Sequence, residues 1–368
     1  MATRAAGRGA IAPWTRLAVL VFCLLVLLAP RAATAGARAA LEAWWTLLVP
    51  ALLPFLLAAE AYLWGSLDAP PEGPGASLIA RVTRLPRQAA APLVAAWVAG
   101  YPVAAALADR WVRAGRLTRD AAAGVVALGS VPDPMFVTAL WAPAMAHARA
   151  LGIVLLGVQY ASLVPVALWL RRRMRGDGRE ADVGASCPVP EGADDPLLAA
   201  ALAAGRTLLL VAVAAAMVGA SAAATRSLMH AWTAYVVPPW WREVTAGTVD
   251  ALFLAEPTLP VPGPAAVIAT SALAASGGLV LWLETWVLTR KSGIDLRPFL
   301  EARLIQAACA ALLAAAATRI WPKPLLHAAL SASARLHAAP PAHVSVALAM
   351  GLFGLLLLTV RPKRRPLR

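Results

Sequence analysis

Apolar residues run along this chain in long blocks that are separated by short polar segments. A helix needs about 20 apolar residues to cross the hydrocarbon core of a bilayer, which is roughly 30 Å thick. On that basis the pattern predicts membrane segments at residues 11–29, 40–64, 88–108, 120–147, 150–170, 201–224, 230–256, 263–290, 298–320 and 343–360. The sequence therefore predicts an all-α polytopic membrane protein with about eight to ten hydrophobic segments.

A polar stretch at residues 172–196 divides these segments into two groups. Its glycines and charged residues are typical of a flexible loop. We therefore expect a first membrane half at 1–171, a polar cytoplasmic loop at 172–196, and a second half at 197–368. The second half ends in a basic tail that includes Lys363, Arg364 and Arg365.

The composition excludes a soluble protein. Apolar residues make up 60% of the chain, charged residues make up 14%, and the mean hydropathy is +0.69. An ordinary soluble domain has about 25% charged residues. A chain of this size has too few polar groups to cover a water-exposed surface, so a multi-pass protein of the cell membrane is expected.

The net charge of +14 comes from arginines that cluster between the apolar blocks. No nucleic-acid-binding motif accompanies them, and this placement is typical of loops held against anionic lipids on the cytoplasmic side. If 88–108 crossed the membrane, the clusters at 81–87 and 110–119 would lie on opposite sides. A re-entrant hairpin with its tip at residues 100–102 keeps both clusters inside. Both chain termini are expected to be cytoplasmic.

Glycines and prolines interrupt three of the predicted segments. Lipid offers no hydrogen bonds, so a broken helix persists only where protein or a water-filled cavity satisfies its main chain. The amide groups at the start of a half-helix carry partial positive charge and favour an anion, although a simple kink is the alternative for each break. The residues predicted to bind a substrate are Gly100, Tyr101, Pro102, Ser130, Pro132, Asp133, Pro134, Ser276, Gly277 and Gly278.

Charged residues inside apolar segments are costly and usually functional. Those predicted to bind a coupling ion or to line a pathway are Glu60, Asp250, Glu284 and Arg303. Glu284 lies between Trp282 and Trp286, so an aromatic belt at the membrane surface is an alternative explanation for that stretch.

Motifs of catalysis and of metal or cofactor binding are absent from the sequence. It contains no GxSxG, Walker or HExxH pattern, and Cys23, Cys187 and Cys309 are not spaced as metal ligands or as a disulfide framework. We therefore expect no enzyme activity, no metal and no cofactor.

Several motifs resemble the sporulation integral membrane proteins of the YlbJ type. They are the stretch from Trp44-Trp45 to Pro54-Phe55, the Gly100-Tyr101-Pro102 block, Gly115-Arg116-Leu117-Thr118, Pro134-Met135-Phe136, Ser276-Gly277-Gly278-Leu279 and Pro298-Phe299-Leu300-Glu301-Ala302-Arg303. This family carries a nucleoside-recognition Gate domain, which would cover about residues 40–150 here, and it resembles concentrative nucleoside transporters.

The resemblance implies import of dipicolinate, a small planar dianion, into the developing spore across the outer forespore membrane. That import would be required for maturation of the spore cortex and core. The chain departs from the family pattern at Val131, Pro132 and Asp133, and again at Val280 to Glu284. A sporulation membrane scaffold that transports nothing, or a transporter of a nucleoside-like solute, are the alternatives.

Overall fold

The computed structural model describes residues 13–65, 74–132, 134, 137, 149–174, 196–233, 249 and 264–320, and these are helical or in short connections. In chain order the α-helices are α1 (Pro13–Leu28), α2 (Pro30–Ala43), α3 (Val49–Gly65), α4 (Pro74–Thr83), α5 (Ala90–Ala99), α6 (Tyr101–Arg113), α7 (Arg119–Gly129), α8 (Arg149–Ala161), α9 (Leu163–Arg173), α10 (Pro196–Thr233), α11 (Pro264–Ser276), α12 (Gly278–Thr289) and α13 (Arg297–Ile320). A π-helical turn, Trp44–Leu48, joins α2 to α3, and a 3₁₀ turn, Arg87–Ala89, precedes α5.

Several helical stretches are long and apolar enough to cross a membrane, so the chain is a multi-pass integral membrane protein. In the described part of the chain there are four: Ile153–Arg173, Leu197–Thr233, Val267–Thr289 and Arg297–Ile320. They coincide with the predicted segments 150–170, 201–224, 263–290 and 298–320. A fifth is present if Arg16–Leu28 and Pro30–Thr46, which meet at a bend of 110°, count as one span.

The other predicted segments differ from simple spans or lie elsewhere in the chain. Segment 11–29 forms α1, the first arm of the bent pair, and segment 40–64 contains the π-helical turn. Segment 88–108 forms the two short helices α5 and α6. Most of 230–256, the end of 120–147, nearly all of the 172–196 loop and all of 343–360 lie outside the described residues.

Helices α5 and α6 fold back on each other at Gly100. A methyl group placed on Gly129 would lie 3.0 Å from Ala104 Cβ in α6 and 3.1 Å from Ala96 Cβ in α5. These two methyl groups are therefore at most about 6 Å apart, whereas a straight helix separates residues eight apart by about 12 Å. Gly100 makes the turn at φ 85°, a conformation that strains other residues. Every residue of α5 except Trp97 is buried, so protein surrounds the hairpin.

The loop before this hairpin, the start of α7 and the end of α9 meet at one end of the protein. Arg84 Nη1 donates a hydrogen bond to the carbonyl oxygen of Arg171 at 3.4 Å. A methyl group placed on Gly124 would lie 2.6 Å from Leu85 Cδ2 and 3.4 Å from Leu170 Cδ2. The first turns of α7 therefore lie beside both segments.

The connection between α12 and α13 reaches the same end. A methyl group placed on Gly293 would lie 3.7 Å from the guanidinium carbon of Arg119, the first residue of α7. Arg173, at the end of α9, forms an ion pair with Glu301 in the first turns of α13. Arginines from three clusters of the sequence, at 81–87, 110–119 and 171–175, thus converge on one surface, which we call the basic end.

Small residues bring α2 and α10 into close contact. A methyl group placed on Gly36 would lie 2.3 Å from the carbonyl oxygen of Gly219, and one placed on Gly219 would lie 2.7 Å from Ala40 Cβ. The pairs Gly36/Ala40 and Gly219/Ala223 have the four-residue spacing by which small side chains let membrane helices approach each other. Helix α10 is 38 residues long and also packs against α3. In the π-helical turn before α3, Trp44 Nε1 donates to the Leu208 carbonyl of α10 at 3.1 Å.

Replacing Gly219 by alanine is expected to destabilise the fold, because the new methyl group meets α2 with no room to move. The expected loss is about 1–3 kcal/mol, as for other overpacked sites. Gly205→Ala in the same helix is the matched control, since nothing lies within 4 Å of its added methyl group. Thermal unfolding in detergent measures both variants, and equal midpoints would contradict this packing.

Candidate functional site

In the described part of the chain, three helices end inside the protein, where their last carbonyl groups have no helical partner. Helix α5 ends at Gly100, α7 at Ser130, and α11 at Gly277. Each helix leaves up to four such carbonyl oxygens, and burying one without a donor costs about 1–3 kcal/mol. Gly277 makes its turn at φ 79°, and an added methyl group would lie 2.1 Å from Leu281 Cδ2. This position therefore needs glycine.

Arg303 of α13 joins two of these helix ends. Its side chain is fully buried, and its Nη2 donates to the Ala127 carbonyl at 2.7 Å. Nη1 donates to the carbonyls of Ser130 and, at 3.3 Å, of Ala275. One guanidinium thus bridges the carboxyl ends of α7 and α11. Its planar fork of donors suits this role, and the partial negative charge of both helix ends attracts it.

Half-buried aromatic side chains donate to further carbonyls of the same ends. At α11, Tyr101 donates from its hydroxyl to Ala274 O at 2.6 Å, and Trp282 donates from Nε1 to Ser276 O at 2.9 Å. At α7, Trp97 Nε1 donates to Leu128 O at 3.0 Å, and the Tyr160 hydroxyl donates in turn to Trp97 O. The ends of α5, α7 and α11 are therefore held by a shared set of donors.

The positive charge of Arg303 has no acidic partner among the described residues. The Phe299 ring lies 5.8 Å from the guanidinium carbon and is a weak partner. The half charges of α5 and α6 oppose each other at Gly100, and those of α11 and α12 oppose each other at Gly277. The partial negative charges at the ends of α7 and α11 therefore offset part of the guanidinium charge, and α11 contributes less because the start of α12 opposes it. The positive charge that remains favours an anion in this region of the protein interior.

A cluster of uncharged polar side chains lies next to Arg303, and we call it, together with Arg303, the polar cluster. Gln306 Nε2 donates to the Gln159 carbonyl at 3.3 Å, and Gln159 Nε2 donates to the Ser271 carbonyl at 2.9 Å. Thr270 completes the set beside Ser271. All five side chains are buried between α8, α11 and α13.

Each member of the polar cluster carries a side-chain atom that has no hydrogen-bond partner among the described residues. These atoms are Gln159 Oε1, Thr270 Oγ1, Ser271 Oγ, Arg303 Nε and Gln306 Oε1. Unpaired buried polar atoms are rare and costly, at about 1–3 kcal/mol each. Five in one region indicate a place that is completed by groups other than the side chains of the described residues.

The structure brings together several residues that the sequence predicted at the three breaks. Tyr101, Ser130 and Ser276 lie within one hydrogen-bonded set through Arg303 and the end of α11. Gly100, Gly277 and Gly278 form the turns beside them, and Pro132 and Pro134 are buried. Asp133 lies outside the described residues. Their binding of a substrate stays a prediction.

The other charged residues predicted to line a pathway are not part of this set. Glu60 of α3 is fully buried and forms an ion pair with Arg110, nine residues beyond Tyr101 on α6 and so about 14 Å along the helix. Glu284 is buried on α12, seven residues beyond Gly277 and about 10 Å from it. Asp250 lies outside the described residues.

The sequence analysis missed Gln159, Thr270, Ser271 and Gln306. A signal was present, because Gln159 interrupts a long apolar block and polar residues at that depth need a partner. Gln306 follows Arg303 by three residues, which places both on one face of a helix.

Comparisons of the chain with models of protein families, with curated proteins and with solved structures find no match. The resemblance to the YlbJ type therefore remains a prediction from short motifs. Among the described residues, no three histidine, cysteine or acidic side chains come together as a metal site requires.

Replacing Arg303 by methionine is expected to destabilise the protein strongly, since three carbonyls at two helix ends lose their donor. We expect a loss of about 3 kcal/mol or more. Arg303→Lys keeps the charge but not the fork that spans both helices, so it should restore only part of the stability. Thermal unfolding in detergent gives the values, and Arg297→Met at the exposed start of α13 is the control. Equal loss in the Arg297 and Arg303 variants would contradict the bridging role.

Proposed function

We propose that this protein is a membrane transporter of a small organic anion. The observation that carries the proposal is the buried guanidinium of Arg303, which has no acidic partner among the described residues and lies beside unpaired polar side chains. A permanent charge inside an apolar protein costs several kcal/mol, and in membrane proteins such charges usually serve a substrate or ion pathway.

The lengths of the helices support a position of the breaks near the middle of the bilayer. Helices α5, α7 and α12 have 10, 11 and 12 residues between the basic end and their breaks. At a rise of 1.5 Å per residue they reach about 15–18 Å inward, which is half of a hydrocarbon core roughly 30 Å thick. Transporters bind their substrates at this depth, between interrupted helices.

The convergence of arginines supports a cytoplasmic basic end. The α5–α6 hairpin begins at Arg87 and ends at Arg113, next to this end, so it enters the bilayer and returns to the same side. In this topology α5 and α6 form a re-entrant hairpin with its tip at Gly100. The amide groups at the start of α6 and α12 have no side-chain cap, and they add donors for an anion at the same depth.

The resemblance to the YlbJ type names a first anion to test. Dipicolinate import into the developing spore, across the outer forespore membrane, is the function that those motifs imply. Its rigid carboxylates would suit a site built from a guanidinium and main-chain amides. Anionic lipids would contact the basic end, where the arginine clusters meet.

Uptake into liposomes that contain the purified protein tests this function. We expect labelled dipicolinate, or another small aromatic carboxylate, to enter faster than into protein-free liposomes. Arg303→Lys should lower the rate by about tenfold or more, which corresponds to one lost charge-assisted hydrogen bond. Arg297→Lys, exposed on the same helix, should not change the rate.

Failure of every carboxylate to enter through the wild-type protein would reject the anion transporter. Entry of uridine in the same assay would favour a nucleoside-like solute instead. Entry of neither would favour the scaffold. Variants are compared only when they elute as a single species in detergent.

Cysteine labelling tests the re-entrant hairpin. In a protein without its native cysteines, we expect Arg84→Cys and Arg116→Cys to react with an impermeant maleimide from the same side of sealed vesicles. The two positions flank the hairpin. His147→Cys, at the end of the predicted outward segment 120–147, serves as the reference for the opposite side. Reaction of Arg84→Cys and Arg116→Cys from opposite sides would show that α5 and α6 cross the membrane.

A further inference from the structure

We infer that the polar cluster binds an organic anion that also carries a hydrogen-bond donor, such as a hydroxyl or a protonated carboxyl group. This inference rests on the proposed transport of an anion and defines its substrate class more narrowly. The polar atoms that lack partners among the described residues differ in whether they donate or accept hydrogen bonds, and this difference defines the ligand.

The unpaired atoms of the cluster are mostly acceptors. Gln159 Oε1 and Gln306 Oε1 can only accept a hydrogen bond, whereas the Thr270 and Ser271 hydroxyls can accept or donate. Arg303 Nε is the one obligatory donor among these atoms. A ligand that satisfies all of them must accept from the guanidinium and donate to at least one amide oxygen.

The connections within the cluster place these atoms in one region. Arg303 and Gln306 are three residues apart on α13, so their Cβ atoms are about 5–6 Å apart on one face. Gln306 bonds to Gln159, and Gln159 bonds to Ser271. Arg303 bonds to Ala275, one turn beyond Ser271 on α11. These bonds therefore place Arg303, Gln306, Gln159 and Ser271 close together where α8, α11 and α13 meet.

A fully ionised dicarboxylate cannot form hydrogen bonds with all of these unpaired atoms. Dipicolinate as a dianion offers carboxylate oxygens and a ring nitrogen, all of which accept hydrogen bonds. It would leave both glutamine oxygens unpaired and would bring two negative charges to one guanidinium. A singly charged anion with a donor satisfies the amide oxygens and matches the single charge of Arg303.

Three ligands with the same pyridine dicarboxylate ring test whether the site prefers an anion with a hydrogen-bond donor. They are dipicolinate, its 4-hydroxy derivative and its 4-methoxy derivative. They differ in whether a donor is present while the two carboxyl groups are kept, and the methoxy form controls for size. At neutral pH we expect the 4-hydroxy derivative to compete for uptake, and to stabilise the detergent-solubilised protein, at least about fivefold better than the other two.

The preference for the 4-hydroxy derivative should disappear when the side-chain oxygen of Gln306 is removed. Gln306→Met keeps the length of the side chain but has no amide oxygen, and it should bring all three ligands to within about twofold of each other. Thr318→Val is the matched control, because it also removes a polar group from α13 but lies 12 residues away, about 18 Å along the helix. It should retain the preference.

The possible failures are distinct. If none of the three ligands and no other small aromatic carboxylate enters or stabilises the wild-type protein, the anion transporter itself is rejected. If all three act equally on the wild type, the transporter stands and the need for a donor is rejected. If the preference persists in both Gln306→Met and Gln159→Met, it arises elsewhere and the assignment to the polar cluster is wrong.

Discussion

The architecture of this protein depends on one requirement, that main-chain carbonyl groups at the end of a helix find donors when the helix stops inside an apolar region. Water satisfies such groups at a protein surface, and lipid satisfies none. Here the guanidinium of Arg303 meets the requirement for two helices at once, since it donates to the ends of both α7 and α11. The positions of α5, α6 and α12 follow from these two fixed ends, because Tyr101 and Trp282 donate to the neighbouring carbonyls.

Arginine is well suited to this position because its charge and its shape act together. Burying a charge is expensive, and the partial negative charges of two helix ends repay part of that cost. A lysine could supply the charge, but its three donors share one nitrogen and lack the span of the planar guanidinium, and a glutamine could supply donors but no charge. Arg303 therefore has two effects. Its guanidinium holds the ends of two helices together, and it also places a positive charge in the protein interior.

Much of the helical architecture could be predicted from apolar block lengths, and the breaks from Gly-Tyr-Pro and Ser-Gly-Gly. What could not be predicted was which helix ends would meet. We expected amide ends to define the centre, but carbonyl ends surround Arg303, because the direction and depth of each helix depend on packing between distant segments. Trp282 illustrates the same limit: its neighbourhood suggested a surface belt, yet its indole donates to Ser276. Single glutamines such as Gln159 become informative only when their neighbours are known.

The length of α10 has a consequence for the outline of the molecule. Its 38 residues extend for about 57 Å, and even a tilt of 40° fits only about 39 Å of helix into the hydrocarbon layer. At least about 18 Å of this rod must therefore project past the acyl chains. Trp232, close to its last residue, is 83% exposed. The helix that packs against α2 through glycines thus extends beyond the hydrocarbon layer, so a change in its tilt inside the bilayer would displace its end in the aqueous phase.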